Sequence, residues 1–289
     1  MSVHAAPGRR RTLGDLAAKK AAGEPIVMVT AYDHPGAQIA EEAGVDMVLV
    51  GDSAAMTVLG YDSTVPVSVD EMLMLTRAVR RGLHGPLLVA DLPFGSYEAS
   101  DEQAIATAQR FLKETGCDLV KIERGGTTVD RARALVAAGI PVVGHVGLTP
   151  QTATSLGGYR AQGRTAEAAL AVIDSALALQ DAGCSVLVVE AVPGEVAAAL
   201  TPLLEIPVIG IGAGAAVDGQ VLVFHDLLGI YDGPAPKFVK RYASLRAEAV
   251  AGISAYAAEV RSGAYPAAEH GYGMAPGEAS RLDDLLAGR

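Results

Sequence analysis

Short apolar runs, rich in β-branched residues, recur along the chain, and most stop at a polar residue. They are Ile26–Thr30, Met47–Val50, Leu87–Ala90, Leu119–Glu123, Val142–His145, Val186–Glu190, Val208–Ile211 and Val221–Val223. Runs this short with so few polar positions predict strands buried on both faces, as in a parallel sheet. Between them the apolar positions fall at helical spacing. Thr12–Ala22 predicts an amphipathic helix, with Leu13, Leu16 and Ala17 on one face and Gly23 as its stop. Ser100 with Gln103 resembles a capping box ahead of Ala104, Ile105, Ala108, Phe111 and Leu112, and Gly116 closes that helix. Further helices are predicted from Asp33 or His34 to Ala43, from a Ser68/Asp70 cap through Arg80, over Val129–Ala138 and Thr165–Ala182, and over most of Lys237–Arg261. Helix, glycine, two residues, strand and polar terminus repeat as a unit at Gly44 to Asp52, Gly116 to Glu123, Gly139 to His145 and Gly183 to Glu190. Eight strands alternating with helices predict an α/β fold, a single (β/α)8 TIM barrel; an open doubly wound sheet is the competing topology.

Composition agrees with one large core. The chain has 289 residues, half of them hydrophobic and 19% charged, a common size for a single α/β barrel. A net charge of -10 disfavours a nucleic-acid partner, because phosphate binding needs basic surface. Cys117 and Cys184 are far apart and outside metal-ligand spacing, so they read as buried thiols of a reducing compartment. No stretch is apolar enough to span a membrane. Arg9-Arg10-Arg11 is followed by Asp15, Lys19 and Lys20, which rules out a hydrophobic signal core and makes a cytoplasmic location the expectation. Residues 1–11 are expected to be a disordered arm, 12–270 the catalytic barrel and 271–289 a tail.

Candidate chemistry gathers at the strand ends. In a barrel, the C-terminal ends of the strands face the active site, and Asp52, Asp91, Lys121, Glu123, His145 and Glu190 all occupy such ends. Alternation puts Lys121 and Glu123 on one strand face, with Val120 and Ile122 on the other. Val48, Val50 and Asp52 are assigned a common face in the same way, as are Val188 and Glu190. Asp52, Asp91 and Glu123 would repel one another without a cation. Oxygen donors with open positions suit Mg²⁺, which keeps waters and exchanges them for substrate oxygens; it would polarise a carbonyl and stabilise the enolate formed beside it. The competing account makes these acids helix caps or partners of Lys121, which could also hold a substrate carboxylate. Glu190 follows an apolar run, and burial would tune it toward a general base; a cap for the helix after Pro193 is the alternative. His145 is either a ligand contact or a satisfied core histidine. Ser53 is a cap, a substrate contact, or both. Gly210-Ile211-Gly212-Ala213-Gly214-Ala215 fits the loose dinucleotide-binding pattern, but the next strand starts too soon for a phosphate-facing helix.

The chain resembles the ketopantoate hydroxymethyltransferase family. The resemblance rests on Thr30-Ala31-Tyr32-Asp33, Val50-Gly51-Asp52-Ser53, Ala90-Asp91-Leu92-Pro93-Phe94, Val120-Lys121-Ile122-Glu123, Gly144 through Gln151, Gly157-Gly158-Tyr159, Gln162-Gly163-Arg164 and Ile209 through Gly214. It implies a barrel of the phosphoenolpyruvate/pyruvate-binding type and a Mg²⁺-dependent first step of pantothenate synthesis. By position it assigns Asp52, Asp91 and Glu123 to the metal, Ser53, Asp91 and Lys121, with Asp52, to the 2-oxo acid, and Glu190 to proton removal. It also implies 3-methyl-2-oxobutanoate and 5,10-methylenetetrahydrofolate as substrates, 2-dehydropantoate as product, and a homodecamer of two pentamer rings. Three departures stand out: Arg124 follows Glu123 where the family usually has glycine, Thr154 replaces a common asparagine, and the chain runs on past Glu269-His270. Two rivals are set against this reading. One is a related barrel lyase or mutase on another small 2-oxo acid. The other is a catalytically silent barrel serving as a sensor or scaffold, which would be expected to lack Glu190 or a metal acid.

Overall fold

A computed structural model describes residues 9–123, 127–233 and 236–289. The chain forms two compact units, one reaching to Tyr242 and the other comprising Ala243–Arg289. In the first, the elements run α1 (Leu13–Ala22), β1 (Ile26–Thr30), α2 (His34–Glu42), β2 (Met47–Val50), α3 (Ala54–Thr57), α4 (Val69–Gly82), β3 (Leu87–Asp91), α5 (Asp101–Thr115), β4 (Leu119–Glu123), α6 (Thr128–Ala137), β5 (Val142–Gly147), α7 (Ala166–Asp181), β6 (Val186–Glu190), α8 (Gly194–Leu200), β7 (Val208–Ile211), β8 (Gly219–Leu222) and α9 (Phe224–Leu227). The second unit holds α10 (Leu245–Ser262) and α11 (Glu278–Ala287).

All eight strands pair in parallel, and β8 closes onto β1, so the sheet is a complete barrel as expected. Two apolar layers follow from the period of two. Ile26, Met28, Met47, Leu49, Leu87, Val89, Leu119, Val143, Val186, Val188, Ile209 and Val221 fill the barrel interior. Val48, Val50, Leu88, Ala90, Val120, Ile122, Val142 and Val189 face outward under the helices. Cys117 and Cys184 are unpaired and buried, and burial pushes both thiols up to about 12.

Four local expectations need correction. The last strand begins at Gly219, not Val221, because Gly219 and Gln220 pair with β1 despite their low strand propensity. Glycine is required there, since a Cβ would lie 2.4 Å from the Ile26 carbonyl oxygen. The helix expected over most of Lys237–Arg261 is present as Leu245–Ser262, but the expected tail carries a helix of its own, α11. Asp52 does not share a face with Val48 and Val50. Those two point outward, β2 ends at Val50, and the turn through Gly51–Ser53 redirects Asp52 inward. Finally, Ser100 caps α5 through the Gln103 N–H, but the Gln103 side chain accepts from Ala99 N rather than closing the box.

The N-terminal end of the barrel is held by a repeated device. Asp46, Asp118 and Asp218 each stand one residue before an even-numbered strand. Each accepts a backbone N–H from the preceding strand, from Val27, Leu88 and Val208 at 2.9, 2.9 and 2.8 Å. Cations then close over them. Arg11 and Lys19 meet Asp46 at 2.9 and 2.7 Å, Arg10 and Arg80 meet Asp118 at 2.5 and 3.5 Å, and Lys20 meets Asp218 at 2.6 Å. Two of these cations, Arg10 and Arg11, come from residues 9–11 and α1 contributes the lysines, so the arm's described part is anchored, with Arg11 N also donating to Gly85 O. The rest of the expected arm, residues 1–8, lies outside the described residues.

Candidate active site

The C-terminal ends of β2 to β6 open into a cavity of about 580 Å³. Asp52, Ser53, Asp91, Lys121, Glu123, His145 and Glu190 all line it, so every site residue expected from the sequence reaches one space. Local chain geometry puts them there. Asp91, Glu123 and Glu190 are the last residues of β3, β4 and β6, and His145 lies opposite Glu123 in the register of β5. β5 has to end on a glycine, Gly147, because a Cβ there would sit 2.2 Å from the Glu190 carbonyl oxygen. Glu190 is followed by Ala191 at φ +47°, a left-handed conformation that costs a non-glycine residue about 1–2 kcal/mol. That bend is held by hydrogen bonds from Ala191 N to Ile211 O and from Gln162 N to Ala191 O.

The acids do not act as caps. Asp52 is 4% exposed, and its Oδ2 accepts from Gln151 Nε2 at 2.9 Å. No side chain caps α3 or α8, which removes the capping alternatives for Asp52, Ser53 and Glu190. Asp91 Oδ2 accepts from the Asp52 backbone N–H at 2.9 Å, placing two carboxylates side by side. Lys121 Nζ lies 3.1 Å from Asp91 Oδ1 and 3.6 Å from Glu123 Oε1. The first pair is a close contact without hydrogen-bond alignment, since Asp91 Oδ1 is buried and has no hydrogen-bond partner. His145 bridges two acids, with Nδ1 3.3 Å from Glu123 Oε1 and Nε2 3.2 Å from Glu190 Oε2. Ser53 Oγ and the Tyr32 hydroxyl are 2.8 Å apart.

Burial and charge set the protonation pattern. Burial raises the Asp52 carboxyl well above its usual range, and the neighbouring Glu123 and Asp91 charges add to this. Asp91 is also raised by burial, with Lys121 opposing. Burial opposes ionisation of Glu123, but Lys121 and His145 hold its carboxyl below the usual value. Lys121 is likewise held above its ordinary range, because Asp91, Glu123 and Asp52 outweigh its desolvation. His145 is raised to about 9. Burial and Lys121 would lower it, but Glu123 and Glu190 prevail. At these strand ends, among the described residues, four acids meet Lys121 and His145, and Asp52 alone of the four has no cation within ion-pair distance. Glu190 departs from its expected apolar burial: its side chain is 16% exposed at the cavity rim and faces His145.

A family model described as ketopantoate hydroxymethyltransferase matches residues 10–268. The chain belongs to this family. A 3-methyl-2-oxobutanoate hydroxymethyltransferase of Oleidesulfovibrio alaskensis is 50% identical over 288 residues, covering 100% of this chain and 99% of the relative. The enzyme of the same name from Geobacillus kaustophilus is 53% identical, covering 88% of this chain and 91% of its own length. Among solved structures, phosphonopyruvate hydrolase matches with a TM-score of 0.60 at 13% identity, over 95% of this chain and 96% of that one. The 2,3-dimethylmalate lyase structure, a member of the PEP mutase/isocitrate lyase superfamily, matches with a TM-score of 0.57 at 17% identity, over 95% and 98%. These two likenesses concern the fold alone.

Among the described residues, no three His, Cys, Asp or Glu side chains converge as a ready metal-ligand set. The Asp52–Asp91 pair nevertheless fits a hard divalent cation. It offers carboxylate oxygens, one of them buried without a hydrogen bond, and Mg²⁺ binds through one or two carboxylates while retaining waters and substrate oxygens. Glu123 stands behind Lys121 on the same wall. Arg124 lies outside the described residues, and Thr154 is exposed in the loop after β5. Sequence reasoning missed Tyr97 and Gln151, which are buried within the acid cluster. Both fall in or beside the family motifs, but neither carries a charge that marks it.

Proposed function

We propose that the chain transfers a hydroxymethyl group from 5,10-methylenetetrahydrofolate to 3-methyl-2-oxobutanoate, with water supplying the hydroxyl, to give 2-dehydropantoate and tetrahydrofolate. Family membership supports the transferase reading. The observation that carries the mechanism is the placement of Glu190 across the cavity from the Asp52–Asp91 pair. Asp52 and Asp91 would hold Mg²⁺, with Glu123 in support; when bound, the metal supplies Lewis-acid polarisation of the substrate carbonyl. Lys121 offers a fixed ammonium to the keto acid, and Ser53 a hydroxyl. Glu190, whose Oε2 lies 3.2 Å from His145 Nε2, takes the proton from the carbon next to the carbonyl. Water adds to the donor's one-carbon unit as its two C–N bonds to folate break, leaving carbon at the formaldehyde level and both protons of water on the folate nitrogens. The electron pair left on the substrate carbon forms the new C–C bond to that carbon, and the resulting alkoxide takes the proton back from Glu190 as the product hydroxyl. This reading carries with it the cytoplasmic location and the homodecamer of two pentamer rings that the family implies; light scattering of the purified chain checks the latter.

The test is deuterium uptake at C3 of 3-methyl-2-oxobutanoate in D₂O with Mg²⁺ and no folate. Wild-type protein exchanges, and Glu190→Gln exchanges about 10²–10⁴-fold more slowly, the typical worth of a positioned general base. Equal exchange by both proteins overturns Glu190 as the base. Exchange without 2-dehydropantoate on adding the folate donor overturns the transfer step and favours a lyase or mutase on the same scaffold.

A further inference from the structure

Gln151 holds the acid cluster together. It is 4% exposed, within a 3-10 turn at Pro150–Thr152. Its backbone N–H donates to Glu123 Oε2 at 2.9 Å. Its side-chain Nε2 donates to Asp52 Oδ2 at 2.9 Å and to the Leu92 carbonyl oxygen at 3.0 Å. Its Oε1 accepts the Tyr97 O–H at 2.6 Å. The Tyr97 oxygen, 2% exposed as a residue, accepts in turn from the Glu123 backbone N–H at 3.2 Å. Every side-chain donor and acceptor of Gln151 and Tyr97 is therefore used. Both amide protons of Gln151 have acceptors, and the single proton of Tyr97 has one place to go. Turning the amide over would set Oε1 against the Asp52 carboxylate and the Leu92 carbonyl, losing both bonds and leaving two acceptors facing a third.

We propose that Gln151, with its amide orientation fixed by Tyr97, is a positioning residue that takes up Asp52 Oδ2 and turns Oδ1 toward the cavity as the oxygen that meets a divalent cation. Among the described residues nothing hydrogen-bonds Asp52 Oδ1. Through its backbone the same residue orients Glu123, so two acids from different strands are set by one side chain and one peptide. The inference rests on the reading of this cavity as a metal site.

The experiment titrates the purified chain with Mn²⁺ alone and follows the free-ion electron paramagnetic resonance signal, for wild type, Gln151→Met and Tyr97→Phe. Gln151→Met keeps the volume and removes the amide. It weakens Mn²⁺ binding about 10–100-fold, the usual cost of losing a group that orients a metal ligand. Tyr97→Phe keeps the ring and frees the amide to turn, so it weakens binding by a smaller factor in the same direction. With 3-methyl-2-oxobutanoate and folate donor at saturating Mg²⁺, kcat recovers toward wild type in Tyr97→Phe, while the Mg²⁺ concentration needed for half-maximal rate stays raised. A residue that only stabilised the fold would lower the thermal midpoint without moving that concentration. Wild-type Mn²⁺ affinity in both variants overturns the inference while leaving the metal reading intact. Failure of the wild-type protein to bind Mn²⁺ overturns both.

Discussion

At the N-terminal end of the barrel, Asp46, Asp118 and Asp218 each have a backbone donor and at least one cation. At the C-terminal end, Asp91, Glu123 and Glu190 share Lys121 and His145, and among the described residues Asp52 has no cation within ion-pair distance. The residue types are alike and the fold supplies both ends equally. What differs is whether the charge is closed within the protein. An acid placed just before a strand finds the neighbouring strand's N–H in register and can be finished by α1. An acid just beyond a strand faces the cavity, where the proposed function gives it a ligand as its partner. One end is built for stability, while the other keeps a charge imbalance that is costly in the empty protein and useful on binding.

Asp52→Asn gives the largest effect and cuts in two directions. In metal-free buffer it removes a buried carboxyl whose ionisation is opposed by burial and by the Glu123 and Asp91 charges, and it keeps the side chain's shape. Substitutions that relieve such strain commonly stabilise by about 0.5–2 kcal/mol, so the thermal midpoint rises. Transfer activity falls by more than about 10²-fold, the scale of losing one electrostatic stabiliser. Saturating Mg²⁺ raises the midpoint of wild type through mass action and leaves that of the variant nearly unmoved. Calorimetry with and without Mg²⁺ measures all four midpoints. A midpoint for Asp52→Asn below that of wild type would erase the distinction between the two ends.

Asp46→Asn is the counterpart. The amide oxygen still accepts the Val27 N–H, but Lys19 and Arg11 lose the charge they enclose. Both cations retain some solvent access, so the loss is that of a hydrogen-bonded charge, about 1–3 kcal/mol. The midpoint drops while kcat and KM stay at wild-type values. A fall in kcat at temperatures where the variant is fully folded would show that the two ends communicate.

Much of this division was legible from residue order alone. The strands were visible because runs apolar on both faces have few other uses, and the acids because each stood where such a run stops. β8 was harder to place, because its first two residues are a glycine demanded by the Ile26 carbonyl and an exposed glutamine. The inward turn of Asp52 broke the alternation that defined the strand. Tyr97 and Gln151 were invisible for a different reason. An uncharged phenol and an amide gain a role only when loops 54 residues apart fold onto each other, with Asp52 a further 45 residues back from Tyr97. The arginines at 9–11 read as a loose arm for the same reason, since Arg10 meets its acid 108 residues downstream.

The smallest effect tests how redundant the N-terminal end is. Arg10 is 57% exposed along its side chain and meets Asp118 at 2.5 Å. Asp118 also accepts the Leu88 N–H and lies 3.5 Å from Arg80. Arg10→Ala therefore leaves the acid hydrogen-bonded and still near a cation, and an exposed pair is worth only about 0.2–1 kcal/mol. Urea unfolding should place the variant within that range of wild type, with a smaller difference at high salt, where the exposed pair is screened. Arg80→Ala in the same background removes the second cation, and the combined loss then exceeds the sum of the single losses because each arginine covers for the other. Strict additivity would mean that Asp118 is held by the Leu88 N–H alone and that its cations are ornament.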